Sequence, residues 1–362
     1  MIGRTHNYSY LQSLGNLSES DITSLQAADK CLRNNIPFVL FALPGIEHYT
    51  FFANPTGRKS DQCFLVVPWL QKYASAVRIY REKSAKDILN SNYHFCTHEN
   101  DFPISTDKNE YLSGLKLLIA DLQKTNGKTV ISRVITEDSV HIDYISLAVR
   151  QFQCYHDTFR FMYFTPQTGA WLGTSPELLL GFDKESNNFS TMSLAGTRKG
   201  TIDEDWDDKN IIEQNYVAKY IADTLTERNI SFRIKHERDV RFEPVAHICD
   251  IFSGNIENGD YIGLIDSLSP TPALCGYPLQ DAVKHINKLE AHSRRCYGGY
   301  IAFETGRRFI AHVNLRCMNF GKTSYTVYAG GGITRNSIPE QEWNETENKC
   351  VTLLNNIELN KL

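Results

Sequence analysis

The sequence lacks several features that would place it in a specialised class. Its nine cysteines are odd in number and form no CxxC pair, which favours reduced thiols in a cytosolic protein over a disulfide framework. Its most apolar stretches, residues 36–45 and 64–70, are far too short to span a bilayer and suit buried strands. Residues 1–16 contain no apolar core of a signal peptide. We therefore expect a cytoplasmic protein without a membrane partner.

An excess of either charge is also missing. The 362 residues carry a formal net charge of −4, with 22% charged and 41% hydrophobic residues, which is an ordinary globular composition. A protein that binds nucleic acid usually shows a basic face, so we expect no nucleic-acid partner. No internal repeat or low-complexity segment is visible. A chain of this length can bury a large core.

The pattern of apolar residues predicts helices and strands that mix without a strict βαβ rhythm. Five helices are predicted, near residues 18–35, 112–126, 206–229, 281–291 and 338–356. Two strand pairs are predicted, residues 159–165 with 169–173 and residues 178–182 with 189–194, and single strands at 36–43 and 128–135. Residues 297–333 are predicted to form a three-stranded antiparallel meander with turns at 304–307 and 320–324. Antiparallel strands with helices set apart indicate the α+β class.

The last predicted helix begins with an acidic cluster. Ser337 and Glu340 have the spacing of a capping box, and Glu342 and Glu345 are three residues apart on one face. Lys349 follows one turn later. These residues are compatible with a solvated acidic helix start, which the helix dipole favours. They are equally compatible with a Mg²⁺ site, because this ion prefers carboxylate oxygens and usually takes one or two of them plus substrate oxygens.

A run of glycines, residues 330–332, lies immediately before this helix. Glycines such as Gly331 and Gly332 let the backbone approach a ligand closely, and N–H groups there would favour an anion. A plain tight turn is the other interpretation. Glu213, in the predicted helix 206–229, could reach the same metal ion from a second helix, although a single helical glutamate is usually a surface residue.

Two further residues could transfer protons. Lys128 opens a predicted strand, and a lysine buried beside a pocket would lose its charge more easily and could act as a base. Glu177 lies next to a proline at the start of an apolar strand, where a carboxyl would keep its proton and could act as an acid. Local sequence alone favours an ordinary, non-catalytic role for both residues.

Taken in order, these segments resemble the chorismate-utilising enzymes. That family includes isochorismate synthases, salicylate synthases, anthranilate synthase component I and aminodeoxychorismate synthase component I. The similarity covers about residues 110–355, and residues 1–100 match only loosely. The matching stretches are GKTVISR (127–133), GTSPELLL (173–180), SLAGTRKG (193–200), DKNIIEQNYV (208–217), VAHI (245–248), LSPTPALCGYP (268–278), EAHSRRCYGG (290–299), VNLRC (313–317) and AGGGITRNSIPEQEWNETENK (329–349).

The resemblance implies one chorismate-binding catalytic domain over residues 1–362, with a divergent portion at 1–105 and the catalytic core at 106–358. Its fold would be two stacked antiparallel sheets flanked by helices. Glu213 and Glu342 would hold Mg²⁺, with Glu345 helping directly or through water, and the ion would hold the ring carboxylate of chorismate. The implied substrate-binding residues are Gly196, Thr197, His247, Ala273, Leu274, Tyr297, Arg316, Gly331, Gly332 and Lys349.

The resemblance also indicates which reaction to expect. Lys128 falls where the water-using members carry their base, and Glu177 falls at the family's acid position. Ala195 replaces the nucleophilic lysine of aminodeoxychorismate synthases, which excludes covalent catalysis through that position. Ala273, where lyase members tend to carry threonine, favours an isochorismate synthase that stops before pyruvate is eliminated. A salicylate synthase, an inert chorismate-binding protein and an amidotransferase partner subunit are the alternatives.

Three positions depart from the family pattern. Ser269 replaces a histidine, Gln214 replaces another histidine beside the first metal ligand, and Asn210 stands where an acidic residue is common. The expected substrate is chorismate and the expected metal is Mg²⁺. We expect a monomer without a glutamine amidotransferase partner. A role in menaquinone or in siderophore synthesis is equally compatible with the sequence.

Overall fold

The computed structural model describes residues 17–96, 101–139, 142–198, 206, 208–242 and 245–358. Within these ranges the side chains at 197–198, 208–209, 238–239, 241–242, 245, 351–356 and 358 are not described. No helix in the described part of the chain is both long enough and apolar enough to cross a membrane.

The helices and strands of the described residues are numbered here in chain order. In order they are α1 (Glu19–Asn34), β1 (Phe38–Ala42), β2 (Thr50–Ala53), β3 (Cys63–Val67), β4 (Val77–Tyr80), α2 (Ala85–Leu89), α3 (Lys108–Thr125), β5 (Lys128–Asp138), α4 (Tyr144–Cys154), β6 (Phe159–Thr165), β7 (Gly169–Ser175), β8 (Leu178–Asp183), β9 (Asn188–Arg198), α5 (Asp208–Glu227), β10 (Phe232–Phe242), β11 (Val245–Asn255), α6 (Tyr261–Leu268), β12 (Gly276–Tyr277), α7 (Leu279–Leu289), β13 (Tyr300–Glu304), β14 (Arg308–Val313), β15 (Cys317–Phe320), β16 (Ser324–Thr334) and α8 (Pro339–Glu358).

The described strands form two antiparallel sheets of eight. The first sheet has the order β12-β5-β16-β15-β7-β6-β1-β2, and the second has the order β10-β11-β9-β8-β14-β13-β3-β4. Their inner faces pack against each other, as Phe41 of the first sheet and Phe64 of the second show with ring centroids 5.8 Å apart. The expected α+β fold with two stacked antiparallel sheets is confirmed.

The helices bury their apolar faces on the outside of this sandwich. α1 and α4 contribute Leu25, Ala28 and Phe152 to a cluster on the outer face of the first sheet. α3, α7 and α8 form a smaller cluster that includes Leu118 and Trp343. This arrangement brings α5 and α8 close to the strand that carries the glycine run, and so positions the candidate site.

The structure corrects the predicted meander at 297–333. This segment forms four strands rather than three, and β13 and β14 pair in the second sheet while β15 and β16 pair in the first. The chain changes sheet at residues 314–316, where Asn314 donates its side-chain amide to Cys296 O and Arg316 adopts a left-handed φ of 45°. The two hairpins that were predicted upstream, β6 with β7 and β8 with β9, are confirmed.

The predicted capping box at the last helix is wrong. α8 begins at Pro339, two residues beyond Ser337, and the Ser337 hydroxyl instead accepts a hydrogen bond from Thr334 N at 3.0 Å. This bond closes the turn that joins β16 to α8. The nine cysteines are free thiols, of which all but Cys96 and Cys154 are buried.

Candidate active site

Lys128 begins β5, immediately after a turn that only glycine can make. Gly127 has a φ of +150°, and a Cβ there would lie 2.6 Å from Tyr277 O. The Lys128 side chain is fully buried, and its Nζ lies 2.8 Å from Oε1 of Glu213 on α5. A Cβ on Gly332 would overlap the Glu213 carboxyl and lie 2.8 Å from Lys128 Cε. The structure therefore brings the predicted base and a predicted metal ligand together next to Gly332.

The pairing of β16 with β5 decides which glycine amides face the site. Val130 N donates to Cys275 O, away from β16, so its partner Gly332 also directs its backbone groups away from β5. Gly331 pairs with Ile131 at the alternate position and uses its backbone groups in the ladder. The glycine run, predicted to lie between a strand and a helix, is part of the strand, and Gly332 rather than Gly331 offers its amide to a ligand.

Three carboxylates lie near the glycine run, Glu213 from α5 and both Glu342 and Glu345 from α8. Glu342 is 1% exposed, and its Oε2 would lie 3.4 Å from a Cβ on Gly331. Lys349 lies between these acids, because its Nζ contacts Glu345 Oε1 at 2.8 Å and donates to Gly330 O at 2.9 Å. Burial acts to lower the pKa of Lys349, but Glu345, with Glu213 and Glu342, outweighs burial and holds the pKa above its usual value.

The donor set fits a magnesium ion in part. Glu213 and Glu342 bring carboxylate oxygens to neighbouring residues of one strand, and these are the ligands that Mg²⁺ prefers. In the described residues no three or more His, Cys, Asp or Glu side chains are arranged to hold a metal ion. Two carboxylates completed by substrate oxygens and water would match the usual magnesium site, with Glu345 as an additional oxygen donor.

A histidine and an arginine form the other side of the site. His247 on β11 is buried, and its Nδ1 lies 2.8 Å from Gly196 O, while its Nε2 lies 3.3 Å from Nη2 of Arg316. Burial, assisted by the charges of Arg316 and Lys349, lowers the pKa of His247 to about 4. The ring is therefore neutral, donating to Gly196 and accepting from Arg316. The side chain of Thr197 lies outside the described part of the chain.

Glu177 lies in an apolar setting between β7 and β8. Its side chain is 3% exposed, and burial raises its pKa to about 8 even though the charge of Lys128 acts to lower it. A small cavity adjoins the carboxyl, with walls formed by Leu179, Thr191, Met192, Val217, Tyr220, Ile221, Leu268 and Thr271. The predicted acid is therefore largely protonated at neutral pH.

We refer to Tyr297, Ala273 and Leu274, which pack in the core between the sheets, as the apolar wall. A Cβ on Gly330 would lie 2.8 Å from the Tyr297 hydroxyl, which places this ring against the glycine run. Tyr297 also stacks on Tyr328 with ring centroids 5.6 Å apart. Leu274 is 6% exposed, and Ala273 packs against the core between the sheets. None of the three side chains carries a charge, and Tyr297 is the one whose hydroxyl lies against the glycine run.

Two residues beside this wall were not singled out from the sequence. Glu290 and Arg294 form an ion pair in which both side chains are at most 3% exposed. They lie in the irregular segment that follows the end of α7 at Leu289, so helical spacing gave no signal for their pairing. They belong to the stretch 290–299 that matched the family pattern.

The arrangement can support acid–base chemistry on a small anion. A buried amine and a protonated carboxyl are close enough to influence each other electrostatically. Arg316, Lys349 and the Gly332 amide are placed to bind carboxylates, and Glu213 with Glu342 can hold a cation. Such a set suits the activation of water at one atom and the departure of a hydroxyl at another.

Comparison with known proteins gives the same picture. A family model described as chorismate binding enzyme matches residues 56–358. Isochorismate synthase EntC of Escherichia coli (strain K12) is 31% identical over 202 residues, which cover 52% of this chain and 51% of that protein. The vibriobactin-specific isochorismate synthase of Vibrio cholerae serotype O1 is 25% identical over 324 residues, covering 82% of this chain and 80% of that protein.

Solved structures extend the similarity to the whole fold. The menaquinone-specific isochorismate synthase MenF of Escherichia coli matches with a TM-score of 0.74 and 17% identity, covering 95% of this chain and 92% of that one. Anthranilate synthase component I of Streptococcus pneumoniae TIGR4 matches with a TM-score of 0.63 and 13% identity, covering 87% and 89%. In sequence, the chain spans about half the length of EntC and MenF.

Proposed function

Because the chain belongs to the family of chorismate binding enzymes, we propose that it is an isochorismate synthase. The observation that carries the proposal is the combination of Lys128, a buried amine that contacts Glu213, with Glu177, a carboxyl whose pKa is raised to about 8 by burial and which the charge of Lys128 influences. An enzyme that exchanges one hydroxyl for another needs both a base and an acid. A protein that only binds chorismate needs neither.

In the proposed reaction Lys128 takes a proton from water, and the water oxygen adds to C2 of chorismate. The bond between C4 and its hydroxyl breaks as the ring double bonds shift. Glu177 gives its proton to the departing oxygen, which leaves as water. One hydroxyl enters and one leaves, so the product is an isomer of the substrate. The two proton transfers together restore the total charge of the site.

The remaining residues bind and orient the substrate. Arg316 and Lys349 supply positive charge for its carboxylates, and the Gly332 amide supplies a further donor. Neutral His247 fixes the Arg316 guanidinium through the 3.3 Å contact. Glu213 and Glu342, assisted by Glu345, would hold Mg²⁺, which when bound would neutralise the ring carboxylate and withdraw charge during loss of the hydroxyl.

The small side chain of Ala273 favours a reaction that stops at isochorismate. Ala273 packs against the core between the sheets and adds no polar group to the wall of the site. Elimination of pyruvate requires a further hydrogen transfer from the ring, to which Ala273 contributes no hydroxyl. We also propose that the protein acts in the cytoplasm as a monomer without an amidotransferase, since Lys128 suits water rather than ammonia as the nucleophile. Both the menaquinone and the siderophore pathways would use this product.

Product analysis tests the proposal. The protein is incubated with chorismate, with and without Mg²⁺ and ammonium, and the products are separated by chromatography. We expect isochorismate that depends on Mg²⁺, no pyruvate and no aminated product. Pyruvate would indicate a salicylate synthase, and chorismate binding without turnover would indicate an inert binding protein.

Two substitutions locate the chemistry. Lys128→Ala and Glu177→Gln should each lower kcat by about 10²–10⁴, the usual contribution of one proton-transfer partner. Lys184→Ala is the matched control, because Lys184 pairs with Glu304 at 2.6 Å on another part of the second sheet and should keep kcat within about twofold of the wild type. Full turnover by Lys128→Ala would contradict the assignment of the base.

A further inference from the structure

The ion pair of Glu290 and Arg294 is buried and fully engaged. Arg294 Nε donates to Glu290 Oε2 at 2.8 Å, and Nη2 donates to Glu290 Oε1 at 2.5 Å. The remaining Arg294 bonds go to backbone carbonyls, with Nη1 donating to Leu274 O at 2.6 Å and Nη2 to Val130 O at 2.8 Å. Glu290 Oε1 in turn accepts from Ser132 N at 2.7 Å. A buried charge pair is stable only with such additional hydrogen bonds.

These contacts lie along the edge of β5 beyond the end of its neighbour β12. β12 pairs with β5 only at Lys128 and Thr129. Beyond that point Val130 O and Ser132 N face outward, and the Arg294 and Glu290 side chains take the places that strand groups would occupy. The ion pair therefore keeps the strand that begins with Lys128 in a fixed position.

The same guanidinium also contacts residues of the apolar wall. Its bond to Leu274 O fixes the segment that contains Ala273 and Leu274. Its Cζ lies 4.3 Å from the centroid of the Trp69 ring and 5.8 Å from that of Tyr297. One buried cation thus contacts the strand of the base, the apolar wall and the tyrosine that packs on the glycine run.

We propose that Arg294, held by Glu290, is a positioning residue that sets the distance between the Ala273–Leu274 wall and the strand carrying Lys128. The expected loss of kcat rests on the proposed function, whereas the expected change in the position of β5 does not. A displacement of about 1 Å at reacting groups can cost roughly 10² in rate. Lysine cannot replace this arginine, because a single ammonium group cannot serve two carbonyls and both carboxylate oxygens at once.

Arg294→Lys is compared with Arg160→Lys, a matched substitution away from the site. Arg160 is 1% exposed and also holds three backbone carbonyls, Phe152 O, Leu43 O and Ile46 O, at 2.6–2.9 Å. Per folded molecule, Arg294→Lys should lower kcat by about 10–100-fold and leave KM for chorismate within about threefold, since Arg316 and Lys349 are untouched. Arg160→Lys should leave kcat within about twofold. Equal kcat losses in the two variants would overturn the proposal.

Hydrogen exchange tests the same proposal without substrate. In Arg294→Lys the backbone amides of Val130 and Ser132 should exchange at least tenfold faster than in the wild type, relative to the amides of β6. Unchanged exchange at these two amides would overturn the proposal even if turnover fell. If the wild type converts no chorismate, the proposed function fails, while the exchange rates still decide the role of Arg294.

Glu290→Asp provides a milder variant in case Arg294→Lys does not fold. It keeps the charge and withdraws the carboxylate by one methylene group, so Ser132 N should lose its partner and exchange faster. Its kcat should be lower than that of the wild type, by less than about 100-fold, and its KM should again stay within about threefold. Wild-type kcat together with wild-type exchange at Ser132 would overturn the proposal.

Discussion

Two regions of the molecule bury a glutamate to the same depth and use it in opposite ways. The Glu177 residue beside the second sheet and the Glu290 side chain at the edge of the first sheet are each 3% exposed. Glu290 has Arg294 and a backbone amide as partners. Glu177 has apolar neighbours, and only the charge of Lys128 counteracts its burial.

The difference shows that burial alone does not decide the role of a carboxyl. With a cation and hydrogen-bond donors around it, a buried carboxylate keeps its charge and organises structure. Without them, it keeps its proton and becomes an acid that can react. Glutamine has a similar volume but cannot ionise: at Glu290 it removes a paired charge, and at Glu177 it removes a buried group that is costly to ionise, so the two substitutions should change stability in opposite directions.

The largest effect on stability is expected for Glu290→Gln. This substitution leaves the Arg294 guanidinium buried without its counter-charge, which typically costs about 3–5 kcal/mol. Urea unfolding at pH 7 measures the loss. Glu185→Gln, at a side chain that is 67% exposed, should change the free energy of unfolding by less than about 0.5 kcal/mol. A decrease of less than about 1 kcal/mol in the free energy of unfolding of Glu290→Gln would show that the ion pair does not stabilise the fold.

An effect of opposite sign, which accumulates as the pH rises, is expected for Glu177→Gln. The pKa of Glu177 is about 8 in the folded protein, above its ordinary value of 4.5, so between these pH values the folded state binds more protons than the unfolded state. Wild-type stability should therefore fall as pH rises from 4.5 to 8, by at most about 1.4 kcal/mol per pH unit from this group, and level off above 8. Urea unfolding at pH 5, 7 and 8.5 should find Glu177→Gln increasingly more stable than the wild type. A constant difference would contradict the raised pKa.

The smallest effect concerns turnover. Because the proposed acid must carry its proton, kcat for chorismate should decrease about tenfold per pH unit above the pKa of Glu177, near 8. A pH series of initial rates at saturating chorismate and Mg²⁺ measures it. Glu177→Gln should retain a low activity that lacks this alkaline decrease. An alkaline limit that persists unchanged in the variant would assign it to another group.

Much of the site could be predicted from the sequence because its residues lie in continuous motifs. Lys128 follows a glycine turn, and Glu342 and Lys349 share one face of α8. The local pattern of apolar residues could not predict that Arg316 and His247 meet, since they are 69 residues apart and Arg316 lies in the crossover between the sheets. The burial of Glu177 is equally non-local, because its cavity is lined from β8, β9, α5 and α6.

The errors in the predicted fold also come from the limits of local sequence patterns. The meander at 297–333 was predicted because four short strands with glycine turns look alike whether they share a sheet or not. β10 was not predicted, because charged residues such as Arg233, Lys235 and Glu237 interrupt its apolar pattern. In the structure β10 is the edge strand of the second sheet, where charged side chains protect an open edge from unwanted pairing.

The crossing of the chain at residues 314–316 has a consequence for how the site responds to distant changes. Arg316 lies where the backbone crosses from the second sheet to the first, and its guanidinium contacts His247 of the second sheet. Any shear between the two layers is therefore transmitted directly to the predicted anion-binding arginine. Remote substitutions that loosen the layers should weaken substrate affinity before they unfold the protein.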